Sequence, residues 1–168
     1  WPDPALPLPM RNGLAALIFA LAAITDWLDG YLARKWGQTS SFGAFLDPVA
    51  DKLIVAAALI LLVELERTQA WLAMVIIGRE ITISALREWM AQIGERRSVA
   101  VAYIGKLKTA AQMLAILLLL YWQPLWPGFD TPLYGNILMV IAAILTLWSM
   151  VYYLQMAGAQ LRGEKKLQ

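Results

Sequence analysis

The chain contains no cysteine and no histidine. The first absence excludes disulfides and thiolate chemistry, and leaves redox compartment unreadable from cysteine usage. The second removes the commonest general base and the commonest metal ligand. Any metal held here is therefore held by oxygen, which favours Mg2+, Mn2+ or Ca2+ over zinc. Charge is scarce too. Only 15% of the 168 residues are Asp, Glu, Lys or Arg, against about 25% in an average soluble domain. Apolar residues make up 60%, at a mean hydropathy of +0.59, which points to an integral membrane protein. The net charge of +2 comes with no basic stripe outside the membrane-proximal loops, so a nucleic-acid partner is not expected. No repeat, linker or composition break divides the chain, which is read as one domain over residues 1–168. It opens at Trp1 with a Pro-rich run and shows no basic segment or cleavage site of a signal peptide. The expectation is that the natural start lies upstream.

Hydrophobic patterning predicts five apolar helices, at Arg11–Ala33, Ser41–Leu65, Thr68–Ile93, Gly105–Trp122 and Pro132–Ala159. A bilayer crossing needs about 20 helical residues. The first four reach that length only by taking in charged or polar side chains, whereas the fifth reads as a plain lipid-facing span. Ionisable residues at or inside a membrane edge are costly and suggest function. Arg34, Lys35, Lys52, Arg96, Arg97, Lys106, Lys108, Arg162, Lys165 and Lys166 gather on one side, with Arg11 and Arg67 on the other. The positive-inside rule makes the first side cytoplasmic. Trp1, Trp71, Trp122 and Trp126 suit an outer interfacial belt, and Trp27, Trp36 and Trp89 an inner one.

The stretch Thr25–Lys52 holds four of the twelve acidic residues, Asp26, Asp29, Asp47 and Asp51, between strongly apolar flanks. The first pair is spaced i,i+3 and the second i,i+4, so each pair shares a helix face. Four carboxylates gathered at two apolar helix ends repel one another unless something positive sits among them, and a divalent metal pair is the natural candidate. Gly30 admits a ligand close to the backbone, Ala33 is small, and Arg34 is a forked donor suited to phosphate. Pro48 either marks the first turn of a helix capped by Asp47 or interrupts a helix begun near Ser41. The plainer reading makes the carboxylates a solvated helix end paired with Arg34, Lys35 and Lys52. It leaves the two same-face pairs without an account.

The pattern D-x2-D-G-x2-A-R-x8-G-x3-D-x3-D is filled at Asp26, Asp29, Gly30, Ala33, Arg34, Gly43, Asp47 and Asp51. It resembles the defining motif of the CDP-alcohol phosphotransferases. That resemblance implies an all-α polytopic membrane helix bundle. It also implies two divalent cations, Mg2+ or Mn2+, held by Asp26, Asp29, Asp47 and Asp51, with Asp51 also the catalytic base. Gly30, Ala33, Arg34 and Gly43 would line the CDP site. The family has six transmembrane helices, so five are expected in this chain and a leading one ahead of it.

The third predicted helix carries Arg79, Glu80, Ser84, Arg87 and Glu88, with Glu80, Ser84 and Arg87 on one face. Glu80 is expected to pair internally, with Ser84 or Arg87, and Glu88 to be exposed. Arg79 and Arg87, with few acidic partners, call for an anion. The fourth helix opens on Gly105-Lys106-Leu107-Lys108, with Gln112 one turn beyond Lys108. Lys108 is read either as a basic helix start snorkelling to headgroups or as a substrate contact, the role also assigned to Lys106. The blocks IGREITISALREWMA and YIGKLKTAAQ are similar to the bacterial branch of the family whose acceptor is glycerol 3-phosphate. The resemblance covers about Leu14 to Tyr153. It implies phosphatidyl transfer from CDP-diacylglycerol to glycerol 3-phosphate, with Arg79, Arg87, Lys106 and Lys108 binding the acceptor phosphate. It further implies a homodimer in the bacterial inner membrane, its active site facing the cytoplasm.

Two rivals stand beside this reading. Another acceptor, serine or inositol phosphate, keeps the motif but, if uncharged, leaves the second basic cluster unemployed. A cation transporter requires ionisable groups across the membrane, yet the outer halves carry few besides Glu64, Glu66 and Arg67. The Trp122–Trp126 turn is read as an interfacial anchor, and Trp148, Tyr152 and Tyr153 as packing or dimer contacts.

Overall fold

The computed structural model describes residues 6–36, 41–92 and 99–164. Within these, the side chains of 26, 27, 30, 31, 33, 34, 36, 41–48, 51, 87, 89–92, 99–106, 156, 157 and 159–164 lie outside the description. The described residues form five helices and no strand: α1 (Leu8–Trp36), α2 (Ser41–Glu64), α3 (Ala70–Gln92), α4 (Val99–Tyr121) and α5 (Thr131–Glu164). At 1.5 Å per residue each is about 35 Å or longer, enough to cross a bilayer. Two stretches, Leu8–Thr25 and Thr131–Gln155, are apolar enough to pass as spans by composition alone. The first takes in Arg11 and Asn12, as expected of a helix that reaches length by including polar groups.

The side chains turned outward identify the solvent. Ile18, Ile24, Leu53, Ile60, Met74 and Ile81 are each more than half exposed, as are Ile144 and Trp148. Apolar surface of this extent is unstable in water but matches hydrocarbon. The chain is a membrane helix bundle.

Where the helices end has local causes. α2 closes in a Schellman motif: Glu66, at φ 57°, bonds from its N–H to Val63 O, and Arg67 N–H to Leu62 O. The non-glycine residue at that left-handed position brings Arg67 into the bundle. α4 closes on Trp122 at φ 56°, whose N–H reaches Leu118 O. α5 opens on Asp130, whose Oδ1 accepts from Leu133 N–H at 3.2 Å. Pro132 sits in that first turn, where its missing N–H costs nothing.

Three expectations change. α2 starts at Ser41 and runs through Pro48, so Asp47 does not cap a new helix there. α4 begins at Val99, six residues before the predicted Gly105. Lys106 and Lys108 therefore stand two turns inside a helix instead of at its start. The apolar residues of 99–104 continue the helix, and Gly105 is carried within it. α5 runs to Glu164, past the predicted Ala159.

α4 packs on α5 and α1, α3 on α5 and α2, and α2 also on α1 and α4. Leu59, Leu62, Ile76, Ile116, Leu119 and Met139 are fully buried where these helices meet. Gly135 permits the close approach of α5 to α4, because a Cβ there would lie 2.8 Å from Leu119 Cγ. Among the described residues α3 and α4 make no close backbone contact, which leaves room for long side chains between them.

Arg67 locks the end of the bundle away from the aspartates. It is 6% exposed and donates to Leu119 O at 3.1 Å, Leu120 O at 2.8 Å and Asn12 Oδ1 at 2.6 Å. Its guanidinium also lies 5.1 Å from the Trp122 ring centroid. Burial lowers its pKa from the ordinary arginine value, yet an arginine in a protein stays charged. Trp122 is thereby packed beneath a cation rather than free in the interfacial belt, unlike the exposed Trp71 and Trp126. Trp126 tilts against Phe129, and Phe129 stacks on Tyr134, with centroids 4.5 and 4.6 Å apart.

Candidate active site

Asp26 and Asp29 lie on α1, and Asp47 and Asp51 on α2. Four residues join these two helices, so the end of α1 and the start of α2 meet at one end of the bundle. Asp29 stands seven residues before Trp36 and Asp47 six after Ser41, about 10 Å from each helix end. Asp26 stands ten before Trp36 and Asp51 ten after Ser41, about 15 Å from each end. The two helices pack together. Their carboxylate positions therefore fall at two matched depths, one from each helix at each depth.

Asp29 is exposed. The side chains of Asp26, Asp47, Asp51, Gly30, Ala33, Arg34 and Gly43 lie outside the described residues, as do those of Arg87 and Lys106. Among the described residues no group of three or more carboxylates could hold a metal ion. The backbone register and the donor chemistry do fit one. An all-oxygen set at paired depths on two packed helices suits a hard divalent cation, and the chain has no cysteine or histidine to offer.

The second polar cluster lies between α3, α4 and α5. Arg79 is 5% exposed and Lys108 3%. Lys108 Nζ donates to Glu80 Oε1, and the same oxygen lies 3.6 Å from Arg79 Nη1. One carboxylate from α3 is thus shared by a cation from its own helix and one from α4. Arg79 Nη2 also donates to Ser149 Oγ of α5 at 2.5 Å. Ser149 in turn donates to Thr146 O at 2.9 Å. Gln112, 3% exposed and one turn from Lys108, leaves its Oε1 without a hydrogen-bond partner among the described residues.

Several expectations meet this cluster directly. Lys108 is buried and ion-paired, so it does not snorkel to headgroups. Glu80 pairs, but across to Lys108; Ser84 instead turns its hydroxyl to the Glu80 main-chain oxygen at 2.8 Å. Glu88 is exposed, as expected. Arg79 is buried, and its anionic neighbour is a carboxylate shared with a second cation. Ser149 was not singled out by the sequence, because a hydroxyl in an apolar helix carries no periodic signal of its own. Of the basic positions, Arg79 and Arg87 lie on α3 and Lys106 and Lys108 on α4, and Lys108 reaches across to Glu80 of α3.

With this geometry in view, comparison with known proteins is informative. The sequence profile described as CDP-alcohol phosphatidyltransferase matches residues 6–148. A Haemophilus influenzae protein named CDP-diacylglycerol–glycerol-3-phosphate 3-phosphatidyltransferase is 54% identical, over 93% of this chain and 83% of its own length. Proteins of the same name from Escherichia coli K12 and Shigella flexneri serotype 5b are 52% identical, over 93% of this chain and 85% of theirs. No solved structure matches the chain with significance.

Proposed function

The chain belongs to the CDP-alcohol phosphatidyltransferase family, and from that membership we propose that it transfers a phosphatidyl group from CDP-diacylglycerol to glycerol 3-phosphate. The products are phosphatidylglycerophosphate and CMP. The observation that carries the reading is the pair of carboxylate levels on α1 and α2 within the filled family motif. The names of the relatives supply the donor and the acceptor.

Asp26, Asp29, Asp47 and Asp51 would hold two divalent cations, Mg2+ or Mn2+. Bound there, the cations would neutralise the diphosphate and stabilise charge as its bond breaks. Gly30, Ala33, Arg34 and Gly43 line the CDP site, with the Arg34 fork suited to a phosphate oxygen. Asp51 accepts the proton of the glycerol 3-phosphate hydroxyl, the part histidine cannot play in this chain. The hydroxyl oxygen forms a bond to the lipid-side phosphorus, and the phosphorus–oxygen bond to CMP breaks. Arg79, Arg87, Lys106 and Lys108 bind the acceptor phosphate. Glu80 holds Arg79 and Lys108 together at that site. The enzyme works in the bacterial inner membrane with the aspartate end on the cytoplasmic side. It works as a homodimer, for which the apolar outer face of α5 is the available surface.

The test is CMP release by the purified protein given CDP-diacylglycerol and Mg2+, with glycerol 3-phosphate, serine and inositol phosphate offered separately. The expected result is release with glycerol 3-phosphate alone, abolished by EDTA. Release with a different acceptor keeps the family chemistry and overturns the acceptor. Metal-dependent ion flux without CMP release overturns both.

A further inference from the structure

α5 reads in sequence as a plain span, with no Asp, Glu, Lys or Arg from Thr131 to Leu161. In the bundle it nonetheless buries Thr146 completely and Ser149 to 2% exposure. Both lie on the side of α5 that meets α3, since Ser149 Oγ takes a hydrogen bond from Arg79 Nη2 across 70 residues of sequence. The direction of the Ser149 hydroxyl is fixed. Its proton goes to Thr146 O, so the oxygen is left as an acceptor aimed at the guanidinium. A short hydrogen bond from a charged donor, in a site shielded from water, is among the stronger kinds.

Arg79 also lies beside Glu80, a carboxylate shared with Lys108 of α4, and the Ser149 hydroxyl adds a neutral hold from a third helix. We propose that Ser149 is a positioning residue for acceptor binding. In this role it holds the Arg79 guanidinium at Nη2 while Glu80 lies at Nη1, so that α5 sets the affinity for the acceptor phosphate without touching it. The inference rests on the assignment of Arg79 to that phosphate. It adds a helix to the acceptor site that carries no motif residue.

The experiment is steady-state CMP release by the purified full-length enzyme in lipid-supplemented detergent, varying glycerol 3-phosphate and CDP-diacylglycerol in turn. Ser149→Ala is expected to raise the acceptor KM roughly tenfold, the size of a lost hydrogen bond to a charged group. The KM for CDP-diacylglycerol should stay unchanged. Ser149→Thr, which keeps a hydroxyl able to bond back along its helix, is expected to restore most of the acceptor affinity. Arg79→Gln should itself raise the acceptor KM, and adding Ser149→Ala to it should make matters no worse. If Arg79→Gln raises the acceptor KM and Ser149→Ala does not, the Ser149 role is overturned while the acceptor site stands. Two effects that multiply in the double variant overturn it as well, since the residues then act independently. An unchanged acceptor KM in Arg79→Gln overturns both assignments. A Ser149→Ala protein that melts earlier with its acceptor KM unmoved has lost packing only, and that also refutes the proposal. The Ser149 pair keeps Arg79 in place, so the result survives a failure of Arg79→Gln to fold.

Discussion

Two buried arginines, Arg67 and Arg79, show opposite ways of keeping a cation inside an apolar bundle. Arg67 is surrounded by neutral acceptors: two carbonyls at the end of α4, the Asn12 amide oxygen and the face of Trp122. Those carbonyls are the ones a helix end leaves open. The arginine therefore completes α4 while tying it to α1 and to the turn after α2. Arg79 instead shares Glu80 with Lys108 and takes one hydroxyl from α5. The first arrangement closes on neutral acceptors and ties helix ends together; the second gathers polar side chains from three helices, the setting proposed for the acceptor phosphate.

That contrast predicts that substitutions at the aspartate end change kinetics, while substitutions at the Arg67 end change melting. The largest effect is expected from Asp51→Asn, which should lower kcat for CMP release about a thousandfold, the range of a lost general base. Its melting temperature should stay near that of the parent. Arg67→Ala should cost about 3 kcal/mol of stability, because it strips several charge-assisted hydrogen bonds and leaves buried acceptors unmet. The fraction that remains folded should keep both KM values, read by thermal denaturation beside the kinetics. A large rise in acceptor KM from Arg67→Ala would break the comparison.

Glu80→Ala sharpens it further. The change removes the Glu80 carboxylate from buried Lys108, at a cost of about 3 kcal/mol. Replacing both partners, as Glu80→Gln with Lys108→Met, should recover most of that stability but not the acceptor affinity. Full recovery of the acceptor KM in the double variant would show that the Lys108 charge has no part in binding. The smallest effect is Gly135→Ala, where the new Cβ meets Leu119. It should lower stability by about 1 kcal/mol through overpacking, with catalysis untouched.

How much of this was legible in the sequence depends on the range of the interaction. The five helices and their order follow from hydrophobic runs, and all five are found within a few residues except at the start of α4 and the end of α5. There the missing signal was a stop or start residue. Gly105 looked like a beginning, but the apolar residues before it had already made the helix. The aspartate pairs were visible because i,i+3 and i,i+4 spacings state a shared face directly. The burial and pairing of Lys108 were not visible, because its partner Glu80 lies 28 residues away on another helix. Nor was the work of Arg67, whose main-chain acceptors lie more than 50 residues away. Main-chain carbonyls have no residue identity to recognise.

The sequence by itself determined the membrane setting, the absence of cysteine and histidine, and the motif with its carboxylate pairs on two successive helices. All of these rest on composition or on spacing within one or two neighbouring helices. Only the tertiary structure decided which polar groups meet inside the bundle: Arg67 with the end of α4, Lys108 with Glu80, and Arg79 with Ser149. In an apolar medium a buried polar side chain must find a partner, but many pairings satisfy that demand equally in sequence. The packing of α3, α4 and α5 selects one of them.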